Sequence, residues 1–164
     1  MPVTYAPRPV VHWSVTPDVL LPIDETSSTL RAAEPEGGPV KVLIVEDDAA
    51  IQKLLAMRVR GEGHAAIAVS DAETALRVVA EGGCPDVAVL DIGLPGMNGM
   101  RLLSVLREQV GKPDLPAIFL SGRVAQADVE LGRSMGATYL TKPVIAHALL
   151  NAIRNAGAPV PPGR

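Results

Sequence analysis

The sequence predicts an α/β fold: a five-stranded parallel sheet, strand order 2-1-3-4-5, wound on both faces by five helices. Three observations carry that reading. Five short apolar segments recur after residue 40: KVLIV (41–45), HAAIAV (64–69), DVAVL (86–90), AIFL (117–120) and TYL (138–140). Three of them are almost unbroken apolar runs, the pattern of strands covered on both faces. Between them the apolar period changes to that of helices, and alternation of strand and helix over about 115 residues implies a parallel sheet. Right-handed crossovers limit the topologies, and 2-1-3-4-5 is the common order for five strands.

Each helix has its own signal. In the first, Ile51, Leu54, Leu55 and Val59 share a face, and the pattern stops at Gly61 and Gly63. Ser70 and Glu73 form an S-x-x-E capping box for a second helix ending near Glu81. Leu102, Leu103, Leu106 and Val110 define the third, closed by Gly111. The fourth is expected from about Gln126 to Met135, stopping at Gly136. The fifth is expected to open at Pro143, with Ile145, Leu149, Ala152 and Ile153 inward, because proline suits a first helical turn.

Residues 1–39 differ from the rest. They hold prolines 2, 7, 9, 17, 22, 35 and 39, and five acids against two arginines, which is the whole formal net charge of −3. They read as a disordered, Pro-rich extension with AAEPEGGP (33–39 from its second alanine) as hinge, leaving 40–156 as the folded domain and 157–164 as a short tail. Two apolar patches, VVHWSV (10–15) and DVLLPI (18–23), are candidate docking peptides. Near-neutral charge argues against nucleic acid and acidic membrane surfaces as partners. Cys84 is alone, so no internal disulfide or cysteine metal cluster can form. With no signal-peptide pattern and no apolar run near the ~20 residues of a membrane span, a soluble cytoplasmic protein is expected. His64 and His147 read as surface or edge residues.

In a sheet of this order, ligands bind beyond the carboxyl ends of the strands, where strands one and three diverge. Strand one ends in Glu46-Asp47-Asp48, strand three in Asp91, strand four in Ser121-Gly122 and strand five in Thr141-Lys142. Asp48 reads first as the N-cap of the following helix. Ser121 reads equally well as a capping or turn serine, and Lys142 as a solvated lysine. Glu46, Asp47 and Asp91 cannot all be caps. Two like charges ~5 Å apart repel by about 3 kcal/mol at an effective dielectric of ~20, so the cluster needs a cation or a proton. Hard oxygen ligands without Cys or clustered His favour Mg²⁺, or Mn²⁺ in its place, and such a site commonly sits beside phosphate. Gly93, lacking a side chain, would let its carbonyl approach the ion, while Pro95 and Gly99 shape the loop.

The motifs VLIVEDD, LDIGLPGMNG, FLSG and YLTKP, in this order, resemble those of the receiver domain of two-component response regulators, chiefly the single-domain, chemotaxis-regulator-like kind. The resemblance covers about Val40 to Ala156 and implies a flavodoxin-like receiver fold. It implies that Asp91 is the phosphoacceptor, attacking a phosphohistidine on a sensor histidine kinase or a histidine phosphotransfer protein. Asp47 would bind Mg²⁺ directly, Glu46 through water, and the Gly93 carbonyl would join them. Lys142 would pair with phosphoryl oxygens, across a Lys142–Pro143 bond that is typically cis. Ser121 and Tyr139 would be the switch pair, and the fourth helix, fifth strand and fifth helix would carry the change to an unknown downstream protein. Without the resemblance, Tyr139 reads as a half-buried strand tyrosine.

The sequence departs from the family in carrying Gly93 and Gly122 where larger residues are frequent, which is expected to leave the phosphoryl group more open to water. Val144 replaces a frequent Phe. The leading expectation is a single-domain, non-enzymatic phosphoacceptor, monomeric or dimerising on phosphorylation. A phosphorelay intermediate passing phosphoryl to a histidine phosphotransfer protein is the alternative. A haloacid-dehalogenase-type phosphatase is remote, because that family has a second Asp where Gly93 stands. A flavodoxin-like electron carrier would need a phosphate-cradling loop where Glu46-Asp47-Asp48 stands.

Overall fold

The computed structural model describes residues 38–122 and 126–157. Five strands alternate with five helices: β1 Lys41–Val45, α1 Ala49–Gly61, β2 Ala65–Val69, α2 Ala72–Gly82, β3 Val87–Asp91, α3 Gly99–Val110, β4 Ala117–Ser121, α4 Gln126–Ser134, β5 Thr138–Thr141 and α5 Ala146–Gly157. The strands form one parallel sheet in the order β2-β1-β3-β4-β5, as the sequence predicts. In register, Val45 sits beside Leu90, Asp91 beside Leu120, and Ser121 beside Thr141. The polar strand ends are thereby brought onto one rim.

Strand period 2 divides the core into two layers. Leu43, Val45, Ala88, Leu90, Ala117 and Phe119 face one way, against α2 and α3. Val42, Ile44, Val87, Val89, Ile118 and Leu120 face the other, against Leu55 and Val59 of α1 and Leu149 and Ile153 of α5. The central strands β3 and β4 are buried throughout, which is why they read as unbroken apolar runs, whereas the edge strand β5 is only half-buried.

Four local expectations are corrected. α2 is capped by Asp71, whose carboxylate accepts from the Thr74 N–H at 2.7 Å, not by a Ser70–Glu73 box. The Ser70 hydroxyl instead accepts from Gln52 Nε2 at 3.1 Å. α5 opens at Ala146 rather than Pro143, so Ile145 precedes the helix and is 69% exposed instead of inward. Leu54 lies on the outer face of α1, opposite Leu55 and Val59. His64 is buried, not a surface residue, because its ring Nδ1 accepts the Val40 N–H at 3.2 Å where the chain enters β1. The two apolar patches at 10–15 and 18–23 lie outside the described residues.

Candidate functional site

The site is built where strand ends meet helix starts. After β1, Glu46 stays buried while Asp47 turns out to solvent. The Glu46 Oε1 accepts the N–H of Asp48 at 3.2 Å, and its backbone carbonyl accepts from Gln52 Nε2 at 3.2 Å. Asp48 caps α1, accepting from Ala50 and Ile51, as its position in the sequence suggests. Gln52, one turn into α1, therefore ties the helix to the ends of both β1 and β2. Sequence reading passed over it, since a glutamine on a helix carries no distinctive signal.

Asp91 closes β3. The loop after it is bound back tightly: Ile92 N–H donates to the Leu120 carbonyl at 2.9 Å, and Gly99 N–H to the Ile92 carbonyl at 3.2 Å. Leu94 plugs the loop into the core. Asn98 caps α3 by accepting from the Arg101 N–H at 2.8 Å, a role its residue type permits but the reading missed. Gly99 is required by space: a Cβ there would stand 2.5 Å from the Asp91 carbonyl oxygen. Gly93 and Gly122 are not so required. A Cβ at Gly93 would be in ordinary contact, 3.7 Å from Asp91 Oδ1, and one at Gly122 would meet nothing within 4 Å. The Gly93 N–H donates to Asp91 Oδ1 at 3.0 Å.

Lys142 reaches across the rim from the end of β5. Its Nζ lies 2.9 Å from Glu46 Oε2 and 3.0 Å from Asp91 Oδ2. The Lys142–Pro143 peptide is cis. The Lys142 N–H also donates to the Ser121 carbonyl at 2.8 Å, locking the ends of β4 and β5 together. Ser121 is buried, one strand away from Asp91. Tyr139 lies farther back along β5. Its ring stands 6.0 Å from that of Phe119, tilted by 58°, and a Cβ on Gly132 of α4 would come within 3.1 Å of it. Tyr139 is thus wedged between β4 and α4.

The electrostatics follow from burial and from one shared ammonium. Burial pushes the Glu46 carboxyl up, and the contact with Lys142 only partly offsets it. Burial would also push Asp91 up, but the hydrogen bonds from Lys142 and the Gly93 N–H prevail and hold it below the usual carboxylate range. Lys142 is raised, because the two carboxylates outweigh its own desolvation. One carboxylate oxygen from each of Glu46, Asp47 and Asp91 lies within 4.8 Å of the others. Three hard-oxygen donors at that spacing, with one ammonium among them, suit a hard divalent cation such as Mg²⁺. An exposed donor beside two buried ones leaves a side open to water or an incoming phosphoryl group.

Comparisons with known proteins agree with this architecture. The response regulator receiver domain family matches residues 42–154. The DNA-binding response regulator MtrA of Mycobacterium tuberculosis (strain H37Rv) is 36% identical over 115 residues, covering 70% of this chain and 49% of MtrA. The response regulator protein FleR of Pseudomonas aeruginosa is 39% identical over 115 residues, 69% of this chain and 24% of FleR. The chain thus spans about half the length, or less, of these curated relatives. A CheY-like receiver domain protein from Methanospirillum hungatei superposes with a TM-score of 0.65 at 28% identity, covering 72% of this chain and 93% of that one. Among the described residues, no helix is long and apolar enough to cross a membrane. With sheet order, rim chemistry and relatives in agreement, the chain belongs to the response regulator receiver domains of two-component signalling.

Proposed function

We propose that this chain is a phosphorylation-dependent binding switch of the cytoplasm, with Asp91 as the phosphoacceptor. The observation that carries the reading is the Lys142 ammonium held between the buried carboxylates of Glu46 and Asp91 at the carboxyl rim. An Asp91 oxygen attacks the phosphorus of a phosphohistidine on a partner kinase or phosphotransfer protein. The P–N bond breaks, the imidazole leaves, and an aspartyl phosphate forms. Glu46, Asp47 and Asp91, with the Gly93 carbonyl, would hold Mg²⁺ or Mn²⁺, which neutralises charge on the phosphoryl oxygens.

The chain's own residues do the rest. Lys142 exchanges its contact with Asp91 for one with a phosphoryl oxygen, and the Ser121 hydroxyl donates to another. Charge neutralisation and in-line positioning are what phosphoryl transfer requires of a protein. The added charge biases Ser121, Tyr139 and α4 toward a second arrangement that a downstream protein reads. The domain would span residues 40–156, between an extension at 1–39 and a tail at 157–164. DNA binding is named for a relative of which this chain covers 49%, and it is not carried over to this chain.

Incubation with a small phosphodonor and Mg²⁺, followed by intact-mass measurement, tests the reading. The parent chain gains one phosphoryl group and Asp91→Asn gains none. Equal labelling of the two overturns the assignment.

A further inference from the structure

α1 carries an outward stripe that its own domain does not cover. Ala50, Leu54, Met57 and Gly61 recur at i, i+4, i+7 and i+11 and are all exposed, Leu54 at 48% and Met57 at 59%. Lys53 flanks the stripe on one side and Arg58 on the other, and α1 contains no acidic residue. An apolar strip between two cations fits an extended peptide that is apolar and acidic.

The chain supplies such a peptide. Residues 18–25, DVLLPIDE, place Val19, Leu20, Leu21 and Ile23 among Asp18, Asp24 and Glu25, with no Lys or Arg between Arg8 and Arg31. The connection is short. Val40 donates its N–H to His64 Nδ1, and His64 in turn donates its N–H to the Val59 carbonyl at 3.3 Å. The chain therefore enters the domain beside the last turn of α1, and Met57 is two residues, or about 3 Å of helix rise, from Val59. Residues 26–37, fully extended, reach about 40 Å, well beyond what is needed. A tether of that length sets an effective concentration on the order of millimolar, so weak intrinsic affinity suffices for occupancy. We propose that residues 18–25 dock on the Leu54–Met57 stripe of α1, with Asp18, Asp24 and Glu25 facing Lys53 and Arg58.

Limited proteolysis of the full chain at the Leu20–Leu21 site tests this, because cleavage tracks the undocked population. The Leu54→Glu/Met57→Glu variant, altered only at exposed positions, is expected to be cut roughly tenfold faster than the parent. Raising the salt concentration is expected to speed cleavage of the parent and not of the variant. A matched thermal midpoint for both proteins checks that the variant is folded. Met57→Ser, which removes the apolar side chain without adding charge, is the second variant should the double one fail that check, and it too is expected to be cut faster. Equal rates in parent and folded variant overturn the proposal. So does protection that vanishes on dilution, which would mean that a second copy supplies the peptide.

Discussion

At the carboxyl end of the sheet, Glu46 and Asp91 are buried as acids and share the ammonium of Lys142. At the amino end of the same sheet, the buried titratable group among the described residues is His64, whose ring accepts the Val40 N–H. Nearby polar groups there close the strands onto one another. Lys41 N–H donates to Asp86 Oδ2 at 2.8 Å, Asp86 N–H to the Lys41 carbonyl at 2.9 Å, and Ala65 N–H to the Val40 carbonyl at 3.0 Å. One end uses polarity to finish the fold; the other concentrates charge that the fold does not need. Apolar residues of similar volume often replace a buried ion pair without loss of stability, so the pair is weak evidence for structure and stronger evidence for chemistry.

The sharpest way to break the contrast is to remove the shared cation. Lys142→Met leaves the Glu46 and Asp91 carboxylates buried without their shared cation, each keeping one backbone N–H. Breaking a buried pair from one side costs about 3–5 kcal/mol, so urea unfolding at pH 7 should give a loss of that order. The loss should shrink as the pH falls, because Glu46, pushed up by burial and no longer offset by Lys142, takes a proton in the folded state before the unfolded one does. Added Mg²⁺ should recover part of it. A variant as stable as the parent at pH 7 would mean the rim is not electrostatically loaded.

A smaller effect separates glycines that the rim requires from those it merely contains. Gly99→Ala forces a methyl against the Asp91 carbonyl, 2.5 Å away, and overpacking of this kind costs about 1–3 kcal/mol. Gly122→Ala enters open space and should change stability by less than about 0.5 kcal/mol. Denaturant midpoints of the two variants compare them directly, and equal losses would refute the distinction.

The same contrast explains what could be read from the chain. β1, β3 and β4 are legible because burial on both faces leaves near-continuous apolar runs, and sheet order then brings Glu46, Asp91, Ser121 and Lys142 to one rim without any knowledge of side-chain contacts. Local choices between neighbours are not legible. Ser70 and Asp71 are adjacent and both can cap; the Thr74 hydroxyl, which also bonds the Asp71 carboxylate at 3.0 Å, helps decide in favour of Asp71. Pro143 is a good first helical residue, yet α5 starts at Ala146, and Ile145 is left outside the helix. Leu54 and Leu55 fit the same apolar period, and only the direction of α1 against the sheet decides which is inside. His64 is hidden for a similar reason: one polar letter before an apolar strand carries no sign of the backbone N–H that holds it.

His64 also gives the mildest test of the amino end. Burial lowers its proton affinity below the ordinary range, with Glu62 pulling the other way and Arg154 reinforcing the drop. In the unfolded chain a histidine titrates near ~6.5. Below that value the unfolded state takes a proton that the folded state refuses. The stability from neutral His64 is therefore full above ~6.5 and declines as the pH falls toward the lower folded value. Protonating Nδ1 would also turn the acceptor of the Val40 N–H into a donor. His64→Gln keeps an acceptor without the titration. Its stability at pH 7.5 should lie within about 1 kcal/mol of the parent, the worth of a single hydrogen bond. Between pH 7.5 and 5.5 the parent should lose stability more steeply than the variant in urea unfolding. Parallel slopes would mean that the amino end is as indifferent to pH as its backbone pairing alone would make it.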